Sequence, residues 1–109
     1  MADSETVIGR LDDGRLMVKF SSAAPSSYSQ TDEVQITITK LGRVEEVVSL
    51  DASQGYDARK ANVAITGNKI VFPLYYQYYA CPVVCATGWE VTTGRDVSDV
   101  TVYGVVIGR

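Results

Sequence analysis

The 109-residue sequence contains no histidine. Histidine is the commonest general base at neutral pH, the usual partner of a serine or cysteine nucleophile, and the commonest metal ligand. Its absence excludes histidine-dependent triads and histidine-ligated zinc sites within one chain. Three acidic pairs remain, but neighbouring residues of a strand point to opposite faces, which indicates solvated surface charge. We therefore predict no enzymatic activity, no catalytic residue and no cofactor.

Long apolar runs and clusters of basic residues are also missing. No apolar run approaches the ~20 residues that cross a bilayer, and the opening Met-Ala-Asp-Ser-Glu-Thr is acidic and polar, unlike a signal peptide. The formal net charge is −3, and the ten basic residues are scattered singly. Because phosphate neutralisation supplies most nucleic-acid affinity, we expect no nucleic-acid partner, no membrane partner and a cytoplasmic protein.

Cysteine is limited to Cys81 and Cys85. In a cytosol both are thiols by default. If their segment is extended, the two Cα atoms lie about 13 Å apart, beyond the reach of a disulfide, although Pro82 allows the chain to fold back. Half of a zinc site shared with a second subunit is a third alternative, with weak support from C-x₃-C spacing. Buried thiols are the favoured interpretation, and we predict no metal site.

Short β-branched runs, separated by turn residues, fill most of the chain. Val34, Ile36 and Ile38 alternate with polar residues at a period of two. An Asp-Gly turn at residues 12–15 joins two such runs as a hairpin. The pattern predicts an all-β fold, an antiparallel β-sandwich or jelly-roll-like barrel of about seven to nine short strands. This single β domain covers residues 7–109, after a mobile polar arm at residues 1–6.

The individual strands follow from the same pattern. Residues 21–30 and 51–60 are polar and predicted as loops. Gly104 lies inside the last strand pattern and indicates a bulge or a close approach. The predicted strands cover residues 7–11, 16–20, 34–39, 44–50, 61–65, 70–79, 89–93 and 100–107.

One stretch, PLYYQYYACPVVCATGW at residues 73–89, holds four tyrosines, both cysteines and the only tryptophan. In an extended strand, Tyr76 and Tyr78 share the face that enters the core, and Tyr75 and Tyr79 point outward. Pro73 indicates an edge strand, a strand start or a bulge. Tyrosine is enriched in protein interfaces, although a central strand with its hydroxyls at the sheet's ends is an alternative. The predicted partner-binding residues, including two of the arm, are Tyr75, Tyr76, Tyr78, Tyr79, Trp89, Asp3 and Glu5.

In general profile the chain resembles the small decoration or cement proteins that stabilise the capsids of tailed bacteriophages. The shared features are the length, the β-rich body, the polar N-terminal arm, the missing signal peptide and histidine, and the tyrosine-rich strand. The resemblance implies binding to the outer capsid surface across capsomer boundaries, often as dimers or trimers. From it we expect a non-enzymatic structural subunit of the virion surface, assembled in the host cytoplasm, that forms a homo-oligomer and binds a capsid or another large assembly.

Two alternatives belong to other classes of protein. An immunoglobulin-like or carbohydrate-binding module would be monomeric and would use Trp89 and the strand from Tyr75 to Tyr79, with Gln77 and Glu90 as the nearby polar residues. An enzyme or metal-dependent protein would use Cys81 or Cys85, without help from histidine.

Overall fold

The computed structural model describes residues 2–76 and 89–109, and it shows an all-β protein with a sandwich-like fold. A 3-10 helix, Lys60–Asn62, interrupts the strands. The nine strands of the described residues are β1 (Ser4–Arg10), β2 (Leu16–Ala23), β3 (Val34–Thr37), β4 (Val44–Ala52), β5 (Tyr56–Asp57), β6 (Ala64–Thr66), β7 (Lys69–Phe72), β8 (Tyr75–Tyr76) and β9 (Thr101–Gly108). The predicted all-β fold class is confirmed.

All paired strands are antiparallel and form three sheets. The four-stranded sheet has the order β1-β2-β9-β4, the three-stranded sheet has the order β3-β7-β6, and β5 pairs with β8. The predicted hairpin joins β1 to β2. Its Gly14 has a φ of +90°, and the Asp13 carboxylate accepts from the backbone N–H and the Nε of Arg15 at 3.1 and 2.8 Å.

The hydrophobic core lies between the four-stranded and three-stranded sheets. Alternate residues of β2, β3, β7 and β9 point inward, as the period of two requires. Each fully buried side chain of this size contributes roughly 1.5–3 kcal/mol relative to exposure. Eight inward residues of the two sheets belong to one buried cluster and are 0–2% exposed: Val18, Phe20, Val34, Ile36, Ile70, Phe72, Val102 and Val106.

The pairing of β4 with β9 contains two irregularities. The register shifts between Val44 and Glu46 and again between Val47 and Ser49. Gly104 lies beside the second shift, where a Cβ atom would overlap the carbonyl oxygen of Ser49. The sequence prediction that Gly104 indicates a bulge or a close approach is confirmed.

The boundary predicted for the N-terminal arm, residues 1–6, is corrected by the structure. Strand β1 begins at Ser4 and pairs with β2 from its first residue. Ala2 is buried, and its N–H donates to the Thr37 carbonyl at 3.1 Å. The residues between 3 and 6 are polar, but backbone pairing needs no apolar side chain, so hydrophobic patterning misses this part of the strand.

The long strand predicted at residues 70–79 is interrupted. Strand β7 ends at Phe72 and is the central strand of its sheet, so of the three positions that Pro73 indicated, an edge strand does not describe β7. Pro73 cannot donate to a ladder. It separates β7 from β8, and β8 joins a different sheet. Residues 77–79 lie outside the described part of the chain.

Two other predicted strands are shorter than expected. The strand predicted at residues 61–65 begins with the 3-10 helix and continues as β6. The strand predicted at residues 89–93 is reduced to one isolated bridge, from Glu90 to Tyr75. No helix within residues 2–76 and 89–109 is long and apolar enough to cross a membrane.

Candidate binding surface

Strand β8 places the two described tyrosines of the aromatic stretch in a small sheet. Tyr76 pairs with Tyr56, and Tyr75 pairs with Asp57 on β5. On its other side β8 meets the chain around Glu90, where the N–H of Tyr76 donates to the Trp89 carbonyl at 2.7 Å. The backbone of β8 is therefore hydrogen-bonded on both sides.

Tyr75 is half-buried under an arginine. The guanidinium carbon of Arg59 lies 4.1 Å from the centre of the Tyr75 ring. Arg59 is itself held by the Asp57 carboxylate at 2.8 Å. The Asn62 side-chain amide donates to the Tyr75 hydroxyl at 2.6 Å. These contacts orient the ring, since an arginine over an aromatic face is attracted to it electrostatically.

Tyr76 is 4% exposed, which differs from its predicted partner-binding role. Its ring centre is 5.9 Å from that of Tyr56. The Arg95 guanidinium lies 5.5 Å from the Tyr76 ring and donates from Nε to the Tyr56 hydroxyl at 2.6 Å. In the described conformation Tyr76 is a core residue, because Phe72, Leu74 and Tyr76 alternate on the inward side of the chain despite the break at Pro73.

Trp89 is the most exposed large hydrophobic residue described, at 57%. Its backbone is fixed by the bond to Tyr76, next to the Glu90–Tyr75 bridge. The structure thus brings the backbones of Tyr75, Tyr76 and Trp89 next to one another, with Trp89 outside any strand. We call Tyr75, Arg59 and Trp89 the aromatic surface. Tyr78 and Tyr79, like Cys81 and Cys85, lie outside the described residues.

The two predicted residues of the arm, Asp3 and Glu5, bind the body of the protein through their carboxylates. Asp3 accepts from the Ala23 N–H at 2.8 Å. Glu5 accepts from the N–H and hydroxyl of Thr39 at 3.0 and 2.8 Å and from the Lys40 N–H at 2.8 Å. Partial burial raises the pKa of Glu5, but the hydrogen bonds from Lys40 and Thr39 outweigh it and lower the pKa overall.

Tyr28 links the chain around Glu90 to the core. Its side chain is completely buried, although sequence patterning places it in a loop. The hydroxyl donates to Glu90 at 2.8 Å and accepts from the Leu74 N–H at 3.0 Å. Burial raises the pKa of the Tyr28 hydroxyl, the Leu74 bond opposes this, and Glu90 raises the pKa further. Burial and the charge of Glu90 also raise the pKa of Glu33.

A second surface feature is a groove of about 550 Å³ on the outer face of the four-stranded sheet. Tyr103 of β9, 41% exposed, lies beside it. No pattern in the sequence predicted a binding role for Tyr103, Arg59 or Asn62. Tyr103 occupies an outward position of a strand with an alternating pattern, and that signal could have found it.

Within the described residues, no group of three or more cysteine, aspartate or glutamate side chains could hold a metal ion. Comparison of the chain with protein-family models, curated proteins and solved structures gives no match. The geometry of the chain itself must therefore carry any functional argument.

Proposed function

We propose that the protein is a non-enzymatic structural subunit that binds a larger assembly through the aromatic surface. In its most specific form the proposal is a virion decoration protein that stabilises a capsid and forms a homo-oligomer, as the profile resemblance implies. The observation that supports it best is Trp89, a residue that is 57% exposed although its backbone carbonyl is held by the Tyr76 N–H.

The exposed indole favours association. Covering its exposed area would contribute on the order of 2–3 kcal/mol at about 25 cal/mol per Å². Tryptophan, tyrosine and arginine are the residues that most often dominate the energy of protein interfaces. The aromatic surface contains one of each.

The contacts around Tyr75 favour a protein partner over a saccharide on this surface. Arg59 covers one face of the Tyr75 ring at 4.1 Å, and a sugar ring that stacks on tyrosine needs an open face. A half-buried tyrosine held by Arg59 and Asn62 has little freedom to lose on association. Preorganisation of this kind lowers the cost of binding.

The test combines native mass spectrometry with co-sedimentation on assembled capsids of the virus that encodes the chain. We expect a closed homo-oligomer that sediments with the capsids. Trp89→Ala should weaken association at least thirtyfold, because the loss of an interface tryptophan costs about 2 kcal/mol or more. Tyr75→Ala should weaken it less.

Tyr103→Ala is the matched control, because it removes an exposed aromatic side chain from a different sheet. We expect it to leave the oligomer and the co-sedimentation unchanged. The proposal is wrong if the native protein is a monomer that does not sediment with capsids, or if both properties survive the combined substitution of Tyr75 and Trp89.

A further inference from the structure

The groove on the outer face of the four-stranded sheet has the construction of a ligand site. Cross-strand pairing places Ser4, Ser21, Tyr103 and Asp51 in one row across β1, β2, β9 and β4. Residues opposite each other in antiparallel strands share a face. Two short serine side chains therefore lie next to a long tyrosine side chain. This difference in side-chain length leaves a trough beside the tyrosine ring. Its volume of about 550 Å³ falls within the range of small-molecule sites.

The polar side chains of this groove have no hydrogen-bond or ion-pair partner among the described residues. Serine and threonine hydroxyls can each donate and accept hydrogen bonds. In the described part of the chain, no hydrogen bond or ion pair involves the side chains of six lining residues: Ser4, Thr6, Lys19, Ser21, Thr101 and Tyr103. By contrast, every buried side-chain nitrogen and oxygen among the described residues has a partner.

The charges around the groove identify the class of ligand. Lys19 on β2 and Asp51 on β4 lie on either side of β9, so the field over Tyr103 is nearly balanced. A phosphate or nucleotide would need a stronger cationic site than one lysine. A purely apolar ligand would leave the hydroxyls without partners. A neutral saccharide offers hydroxyl groups to the floor and a C–H face to an exposed aromatic ring.

The geometry points to a binding site for a neutral oligosaccharide in this groove. One sugar ring packs against Tyr103, and its hydroxyl groups exchange hydrogen bonds with Ser21, Thr101 and Lys19. The site is separate from the aromatic surface, so neither proposal depends on the other. Strand β1 is an edge of the sheet, and the groove is open to solvent there, which leaves room for a longer chain.

The test uses the full chain, labelled with ¹⁵N, and a panel of soluble cello-, xylo-, manno-, malto- and chito-oligosaccharides. At least one member should shift amide signals of β1, β2 and β9 with a dissociation constant between about 0.1 and 5 mM. Tyr103→Ala should weaken this binding at least tenfold. Ser21→Gln should do the same by filling the trough while the tyrosine stays in place.

Trp89→Ala is the matched control and should leave the saccharide affinity unchanged. Spectra of both groove variants would show that the fold is retained. The proposal is overturned if no member of the panel shifts the groove signals at about 10 mM, if the shifts map to Trp89, or if both groove variants bind as the native protein does. A dimer that buries the groove would also overturn it.

Discussion

At the scale of single residues, the buried hydroxyl of Tyr28 connects segments far apart in the chain. Its partners, Leu74 and Glu90, are 46 and 62 positions away. Its own N–H and carbonyl bind Arg95 and Gly94. One side chain thus binds both the residue that precedes β8 and the residue that follows Trp89.

Tyr28→Phe should lower the free energy of unfolding by about 1–3 kcal/mol. The substitution keeps the ring but leaves the Leu74 N–H without an acceptor and Glu90 without its donor. Urea unfolding at pH 7 measures the loss. Tyr103→Phe is the control, because its hydroxyl is on the surface and has no partner among the described residues. It should change stability by less than about 0.5 kcal/mol. Equal losses in the two variants would contradict this role of Tyr28.

Some candidate residues could be predicted from local amino-acid composition alone. Trp89 and Tyr75 were identified because aromatic residues concentrate in one stretch. Tyr28 could not be placed, because its burial depends on contacts with distant segments. The loop composition around Tyr28 does not indicate that its hydroxyl binds Leu74 and Glu90. The alternating pattern, by contrast, did place Tyr76 on the inward face, where the structure buries it.

At the scale of elements, the pairing of β4 with β9 depends on glycine. Gly104 and Gly108 both lie where a Cβ atom would overlap a backbone carbonyl, that of Ser49 in β4 and that of Arg43 directly before β4. One register shift of β4 begins opposite Gly108, and the other ends one residue before the position opposite Gly104. Bulges bend a strand and increase its local twist, so β4 can follow the curvature of β9 only while both positions carry no side chain.

Gly104→Ala should therefore destabilise the protein by about 2–4 kcal/mol, since the backbone of Ser49 must move. Thermal or denaturant unfolding measures this. Gly9→Ala in the edge strand β1 is the control, because a Cβ atom there has no neighbour within 4 Å. It should change stability by no more than about 0.5 kcal/mol. If the two alanine variants are equally stable, the close approach of β4 to β9 is wrong.

Most strands were predictable because one of their faces is buried and the other is not. The hairpin, the strand at Val34 and the last strand all follow from alternation and turn residues. The division of residues 70–79 between two sheets was not predictable in this way. Pro73 indicated a disruption, but the choice of a new pairing partner for β8 is a property of the assembled sheets.

At the scale of the whole molecule, Glu5 joins the two larger sheets. It lies on β1, and its carboxylate binds Thr39 and Lys40, which follow β3. The pKa of Glu5 is lowered in the folded protein. The charged form therefore contributes stability above the unfolded pKa of about 4.5, and this contribution is lost as the pH falls through the lower folded value.

Glu5→Gln should cost about 1–2 kcal/mol at pH 7, because hydrogen bonds to a charged acceptor are replaced by weaker ones. The difference from the native protein should shrink as the pH falls below about 4.5 and through the lower folded pKa. Urea unfolding at pH 7, 5 and 3 measures it. Asp12→Asn, at the exposed hairpin, should stay close to the native stability throughout. A deficit of Glu5→Gln that is independent of pH would contradict the charge-dependent role.

The position of β9 between β2 and β4 has a consequence for the synthesis of the protein. Both neighbours precede β9 in the chain, so neither can pair with β9 until Thr101–Gly108 has left the ribosome. Until then, the backbone N–H and C=O groups along the edges of β2 and β4 that face β9 are unpaired. Late pairing between distant segments is slow, on the order of milliseconds to seconds. Folding of the nascent chain is therefore delayed until β9 emerges, and a ribosome that stalls before Thr101 would hold a chain open to aggregation.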